Sequence, residues 1–273
     1  MLLVREGSGG GSEVFMVRRS AASRFLGGAY VFPGGKVDPD DCDAPWDGRV
    51  LGPGPVEAAR ALGEAEPARA RGLFIAALRE TFEEAGVLLA DRPVERSRLA
   101  ALREALAAEA TPFRRLLEGA SLRLRLADLT PFARWVTPRA EKRRYDARFF
   151  LARSPAEQAA AHDEVEVTAG AWLAPKRALE RGQAGEILLA PPTHRILEQL
   201  AAAGTVDAAF AEARRQGPPP RIEPRFCLDD DGGWFLALPG DPLHEEPERL
   251  VPGPTRFRIV DGRFVTYDPP EPG

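Results

Sequence analysis

Within the stretch LRETFEEAG, Leu78 to Gly86, three glutamates crowd together at Glu80, Glu83 and Glu84 with no lysine beside them. At about 100° per residue they share one sector of a helix, while Ile75, Leu78, Phe82, Ala85 and Leu89 fall on the opposite one. Gly86 suits a left-handed helix end, which puts Glu83 and Glu84 near the negative end of the helix dipole. Carboxylates there are disfavoured by about 0.3–1 kcal/mol each. Local helix energetics does not select this arrangement. A hard divalent cation does, because it takes clustered oxygen ligands and is held by a few carboxylates together with substrate phosphates. For the three glutamates alone, a solvated acidic face with Arg79 in weak helix pairs is the better account, so the neighbouring residues decide.

Those neighbours form a pattern. Arg79 to Val87 reads Arg-Glu, any two residues, Glu-Glu, any residue, Gly, aliphatic, and it resembles the signature helix of the Nudix hydrolases. Thr81 occupies a position that is usually aliphatic. The family motif opens with a Gly followed after five residues by an acid, which Gly35 and Asp41 match with Asp in place of Glu. About thirty extra residues then separate that acid from Arg79, a split that resembles the coenzyme A diphosphatase branch of the family. The coenzyme A signature of that branch is matched at Arg19, Ser20, Arg24, Gly28 and Phe32-Pro33-Gly34-Gly35. Phe15-Met16-Val17 replaces its leading residues. Segments Arg134 to Ala152 and Ile187 to Leu200 are also similar to that branch.

The resemblance implies a metal-dependent hydrolase that cleaves a nucleoside diphosphate linked to another group, by attack of water on phosphorus. It implies that Glu80, Glu83 and Glu84 hold Mg2+ or Mn2+, with the Gly35 carbonyl as a further ligand, and that Arg79 orients the carboxylates. Glu80 is the first choice for the general base; Glu164 or Glu166, on a downstream loop, are the alternatives. Arg19 and Arg24 are expected to meet the 3′-phosphate or the diphosphate of coenzyme A, where the arginine fork suits paired oxygens. Ser20, Gly28, Phe32 and Gly34 complete that substrate signature. Arg144, within the basic group Arg139, Lys142, Arg143 and Arg144, is a candidate for a further phosphate contact, although a charge run of this kind is more often a solvated surface. Coenzyme A or an acyl-coenzyme A is the expected substrate. NADH or ADP-ribose stays open as an alternative, as does an inactive Nudix domain that only senses a ligand.

The elements that must position these residues are legible in outline. MLLV and EVFMVRR flank GSGGGS as two strands about a flexible loop, and no Gly-Lys-Ser/Thr follows the glycines to make a phosphate loop. GAYVFPGGKVD gives a third strand broken at Pro33-Gly34-Gly35. Residues 42–70 shift to Ala, Gly, Pro and acids, with one short helix at Val56 to Leu62, and read as an insertion outside the core. Helices are expected over Gly72 to Leu89, Val94 to Ala110 and Pro112 to Glu118. Strands follow at RWVTP, YDARFFLAR and GAWLAP, then a helix at PPTHRILEQLAAAG closed by Gly204. The remainder holds two hairpins about Asp/Gly turns, a small β-rich extension over 205–273 packed on the Nudix domain of 1–204. The pattern alone supports mixed strands and helices. The resemblance implies an α+β Nudix fold, a mixed sheet sandwiched between helices (α/β/α).

The 273 residues are 44% hydrophobic, ample for a buried core. Cys42 and Cys227 form no CxxC pair, and His162, His194 and His244 have no zinc-like spacing. No GxSxG element suggests covalent catalysis. The net charge of −4 argues against a nucleic-acid partner. No window approaches the ~20 apolar residues of a membrane span. The two distant cysteines fit a reducing cytoplasm, and the final DPPEPG is no peroxisomal tripeptide, so the peroxisomal location of the eukaryotic relatives is not expected to carry over. A homodimer is left open.

Overall fold

The computed structural model describes residues 1–7, 9–20, 27–43, 45–108, 111–158, 160, 167–229 and 232–269. Strands β1 (Leu2–Glu6) and β2 (Ser12–Arg19) form an antiparallel hairpin across the glycine-rich loop, and β3 (Tyr30–Val31) returns along the end of β2. Next come α1 (Pro39–Asp43), β4 (Val50–Leu51), α2 (Pro55–Leu62) and the long α3 (Pro67–Ala85). Helices α4 (Arg96–Ala107) and α5 (Phe113–Ala120) precede β5 (Leu124–Arg125), β6 (Thr130–Val136), β7 (Asp146–Arg153) and β8 (Val167–Leu173). The chain continues through α6 (Pro175–Gln183), α7 (Pro191–Ala203), α8 (Val206–Gln216) and β9 (Arg221–Ile222). It closes with β10 (Arg225–Leu228), β11 (Trp234–Ala237), β12 (Arg256–Val260) and β13 (Arg263–Tyr267).

The main sheet runs β3-β2-β1-β7-β6-β9, with β8 also pairing with β2. It is mixed, since β1 lies parallel to β7, and β6 parallel to β9, among antiparallel neighbours. Alternation along the strands buries both faces. Leu3, Phe15, Val17, Phe150 and Ala152 pack on one side with Phe74, Ile75, Leu78 and Phe82 of α3. Leu2, Val4, Val14, Met16 and Leu151 point to the other, against Ile196, Leu197 and Leu200 of α7 and Phe210 of α8. The α/β/α sandwich follows from that period of two. The last four strands make an antiparallel sheet, β10-β11-β12-β13. It meets the main sheet through Trp135, Ile222, Leu238, Val251 and Phe257. Among the described residues no helix is long and apolar enough to cross a membrane.

Three expectations need correction. The helix carrying the glutamates begins at Pro67 and ends at Ala85, because Pro67 suits a first helical turn and Gly86 adopts φ 68° and donates its N–H to the Phe82 carbonyl at 3.0 Å. Leu89 is therefore buried by an extended segment, its carbonyl accepting from Arg125 N–H at 2.9 Å. The 42–70 stretch is not outside the core. Trp46 is 1% exposed and its ring sits 6.4 Å from that of Phe113, while Ala58, Leu62 and Ala70 join the same cluster. The C-terminal residues start with a helix, α8, before any strand. Thr205 caps it by accepting from Ala208 N–H at 3.2 Å, and Val206, Ala209, Phe210 and Ala213 are buried at helical spacing.

Candidate active site

Arg79 is the centre of the site. It sits on α3 and is 7% exposed, a burial that an arginine tolerates only when its donors are satisfied. Its Nε donates to Asp41 Oδ1 at 3.2 Å and its Nη2 to Asp41 Oδ2 at 2.9 Å and to the Lys36 carbonyl at 2.8 Å. Its Nη1 donates to Glu80 Oε1 at 2.9 Å and to both oxygens of Glu83 at 3.3 Å. Asp38 adds an ion pair at 3.4 Å. Burial pulls the guanidinium pKa down, but the Asp41 hydrogen bonds and the surrounding carboxylates outweigh it and leave it above the ordinary value. Arg79 Nη1 thus joins the carboxylates of Glu80 and Glu83, one turn of α3 apart. Asp41, 2% exposed, takes its other bond from the Asp38 N–H at 2.9 Å.

The Pro33-Gly34-Gly35 break comes up against the acidic edge of α3. Gly34, at φ 151°, is in backbone space that favours glycine, and its N–H donates to Glu84 Oε2 at 2.8 Å. At Gly35 the reason is space: a Cβ there would lie 2.3 Å from Glu80 Oε2. Burial, helped by the charges of Glu83 and Glu84 and opposed by Arg79, leaves the Glu80 carboxyl pushed up to about 7. Burial also raises Glu83, against the pull of Arg79. Thr81, at the usually aliphatic position, is buried with its hydroxyl donating to the Ala77 carbonyl at 2.6 Å, so the polar group is satisfied within the helix.

The structure thus brings together Gly34, Gly35, Arg79, Glu80, Glu83 and Glu84. Arg19, Ser20 and Gly28 gather at the turn end of the β2–β3 ladder, where Arg19 N–H donates to the Ala29 carbonyl at 3.0 Å and Gly28, at φ 78°, donates to the Arg19 carbonyl at 3.2 Å. Phe32, expected at the substrate, is instead 6% exposed and packs edge-on against Phe149 at 6.3 Å, so it supports the glycine break from within the core. Arg144 donates to the Thr137 carbonyl at 3.1 Å and pairs with Glu223, which Arg139 also approaches at 3.5 Å. Arg24, Glu164, Glu166 and His162 lie outside the described residues. Asp38 and the Lys36 carbonyl were not expected in the site; their only signal is their place just after the two glycines.

Among the described residues no three Asp, Glu, His or Cys side chains form a ready-made metal cage. The reason is visible in the hydrogen bonds: Arg79 holds Glu80 and Glu83, and the Gly34 N–H holds Glu84. The donor set still fits a hard cation. It is all oxygen, and the burial and like charge that raise Glu80 are what a cation relieves.

Residues 56–200 match the NUDT19 Nudix domain. The chain belongs to that Nudix family. It is 33% identical over 281 residues to the acyl-coenzyme A diphosphatase NUDT19 of Gallus gallus, covering 86% of this chain and 73% of that one. The Homo sapiens protein of the same name is 31% identical over 276 residues, with the same coverage of 86% and 73%. The Nudix fold is also that of a crystal structure of a Nudix hydrolase from Alicyclobacillus acidocaldarius: TM-score 0.60 and 31% identity, over 80% of this chain and 94% of that one. Helix α3, Pro67–Ala85, lies within the matched residues.

Proposed function

We propose that the chain hydrolyses the diphosphate bridge of coenzyme A or an acyl-coenzyme A, giving 3′,5′-ADP and 4′-phosphopantetheine or its acyl form. The observation that carries this reading is the similarity, across 86% of the chain, to relatives named acyl-coenzyme A diphosphatases. The spacing of Arg19, Ser20, Arg24 and Gly28 before Phe32-Pro33-Gly34-Gly35 supports the same substrate.

A diphosphate repels an incoming hydroxide, so the reaction rests on positioning and charge neutralisation. Glu80, Glu83, Glu84 and the Gly35 carbonyl would hold Mg2+ or Mn2+; when bound, such an ion supplies neutralisation of the phosphate oxygens and a water of lowered pKa. Arg79 keeps Glu80 and Glu83 aimed, and Gly34 N–H keeps Glu84 turned to the glycine break. Glu80, pressed against Gly35, accepts the proton of the attacking water. Arg19 and Arg24 take the 3′-phosphate or the diphosphate in their guanidinium forks.

The test is a substrate panel of coenzyme A, acyl-coenzyme A, NADH and ADP-ribose with Mg2+ or Mn2+. The products formed in oxygen-18 water identify the phosphorus attacked. Turnover of coenzyme A or its acyl esters to 3′,5′-ADP supports the reading; turnover of ADP-ribose or NADH with none of coenzyme A rejects it.

A further inference from the structure

The last turn of α3 carries two carboxylates at its negative end and no basic residue to offset them. One of its final carbonyls, that of Phe82, is taken by Gly86 N–H. The next two go to a single side chain on another helix. Arg103 of α4 donates Nε to the Glu83 carbonyl at 2.8 Å and Nη2 to the Glu84 carbonyl at 3.0 Å. These are the backbone groups of the two residues whose side chains form the acidic edge.

We propose that Arg103 is a positioning residue for Glu83 and Glu84. A guanidinium is a rigid planar fork, so bonding consecutive carbonyls fixes their spacing and direction. Helix ends fray because their terminal carbonyls lack partners inside the helix. Arg103 supplies those partners where fraying would swing Glu84 away from Gly34 and Glu83 away from Arg79. Its positive charge opposes a neighbouring cation, so its contribution is geometric, made through the backbone. In this role it acts on the backbone carbonyls of Glu83 and Glu84. The inference rests on the reading above that Glu83 and Glu84 hold a divalent cation.

The test uses the full chain with Mn2+ as the probe, its binding read by electron paramagnetic resonance. Arg103→Met is expected to bind Mn2+ about 10-fold to 100-fold more weakly, the range for losing a partner that orients a ligand. Amide exchange over residues 79–90 should rise, and excess Mn2+ should restore turnover, which a merely structural role would not produce. Arg103→Lys, with charge but no fork, should bind Mn2+ with intermediate affinity. It carries the test should the methionine variant fail to fold. Wild-type Mn2+ affinity in Arg103→Met, or in Arg103→Lys in that event, overturns the proposal. So does weakened binding with exchange over 79–90 unchanged. If the unsubstituted protein binds no Mn2+, or binds it equally well with Glu83→Gln and Glu84→Gln, the metal-site reading itself falls and takes this one with it.

Discussion

Arg79 and Asp41, 38 positions apart, close a two-bond pair in the interior, Nε to Oδ1 at 3.2 Å and Nη2 to Oδ2 at 2.9 Å. The pair joins the acid that follows the glycine break to the helix that carries the glutamates. Removing the arginine leaves Asp41 buried and unpaired, which costs about 3–5 kcal/mol. Arg79→Met should therefore lower the urea midpoint by a corresponding amount, and Arg79→Lys, which keeps the charge without the fork, should fall between. A urea midpoint for Arg79→Met equal to the parent's would mean that the pair contributes no stability.

Glu83→Gln combined with Glu84→Gln should reduce turnover by more than the ~10- to 100-fold typical of an outer-shell partner. The fold should persist without metal, since carboxylates at a helix C-terminus are disfavoured by about 0.3–1 kcal/mol each. Steady-state rates and circular dichroism melts check both halves. Full activity in the double variant would show that these carboxylates are not the metal ligands.

Gly35→Ala sets a methyl group against Glu80 Oε2, with overpacking costs of about 1–3 kcal/mol. The expected outcome is a loss of turnover larger than the change in KM, because Glu80 is displaced while the Arg19 end of the site is untouched. Crystals of the variant should show Glu80 rotated off the glycine. An unmoved carboxylate with normal kinetics would contradict the contact.

His194, on α7, packs edge-on to Phe257 of the C-terminal sheet at 5.7 Å. Burial, with Arg195 beside it, lowers its pKa to about 4. The unfolded chain takes up this proton near pH 6.5 and the folded protein only near pH 4, so stability is full above pH 6.5 and falls as pH drops toward 4. The loss attributable to this group is on the order of 1–3 kcal/mol. His194→Gln should flatten the stability profile between pH 6.5 and 4, measured by urea titration at each pH. An unchanged slope would mean that other groups set it.

The parts of the fold that came through from sequence were those with strong local chemistry. The β1–β2 hairpin announces itself through GSGGGS, and Gly86 stops α3 because only a residue without Cβ enters the left-handed region cheaply. The acidic edge was legible from spacing, and Asp41 stood out only as a match to the acid of the Nudix motif, its bond to Arg79 being invisible in the sequence. Trp46 was not, since what buries it is Phe113, more than sixty residues away, and a bond from its indole N–H to the Asp40 carbonyl at 2.8 Å. The α6 segment PKRALERGQ buries only Pro175 and Ala178, too narrow a stripe to stand out. The α8 signal was present in Val206, Ala209, Phe210 and Ala213, but lay next to the stronger hairpin patterns that follow it. Arg103 gave no signal at all, because its partners are backbone carbonyls 19 and 20 positions away.

Arg148, a β7 residue whose side chain is 3% exposed, donates to the Leu62 carbonyl at 3.1 Å and to Glu64 at 2.9 Å, just where α2 ends. With Asp41 held at one end and this anchor near the other, the chain between them is a detour with both ends pinned. Each doubling of such a detour adds only about 0.6 kcal/mol of closure entropy. Descendants of this protein could therefore lengthen the exposed turns of that stretch at little entropic cost, provided Trp46 and Ala58 keep their buried places, while the chemistry beyond the pins stays in register.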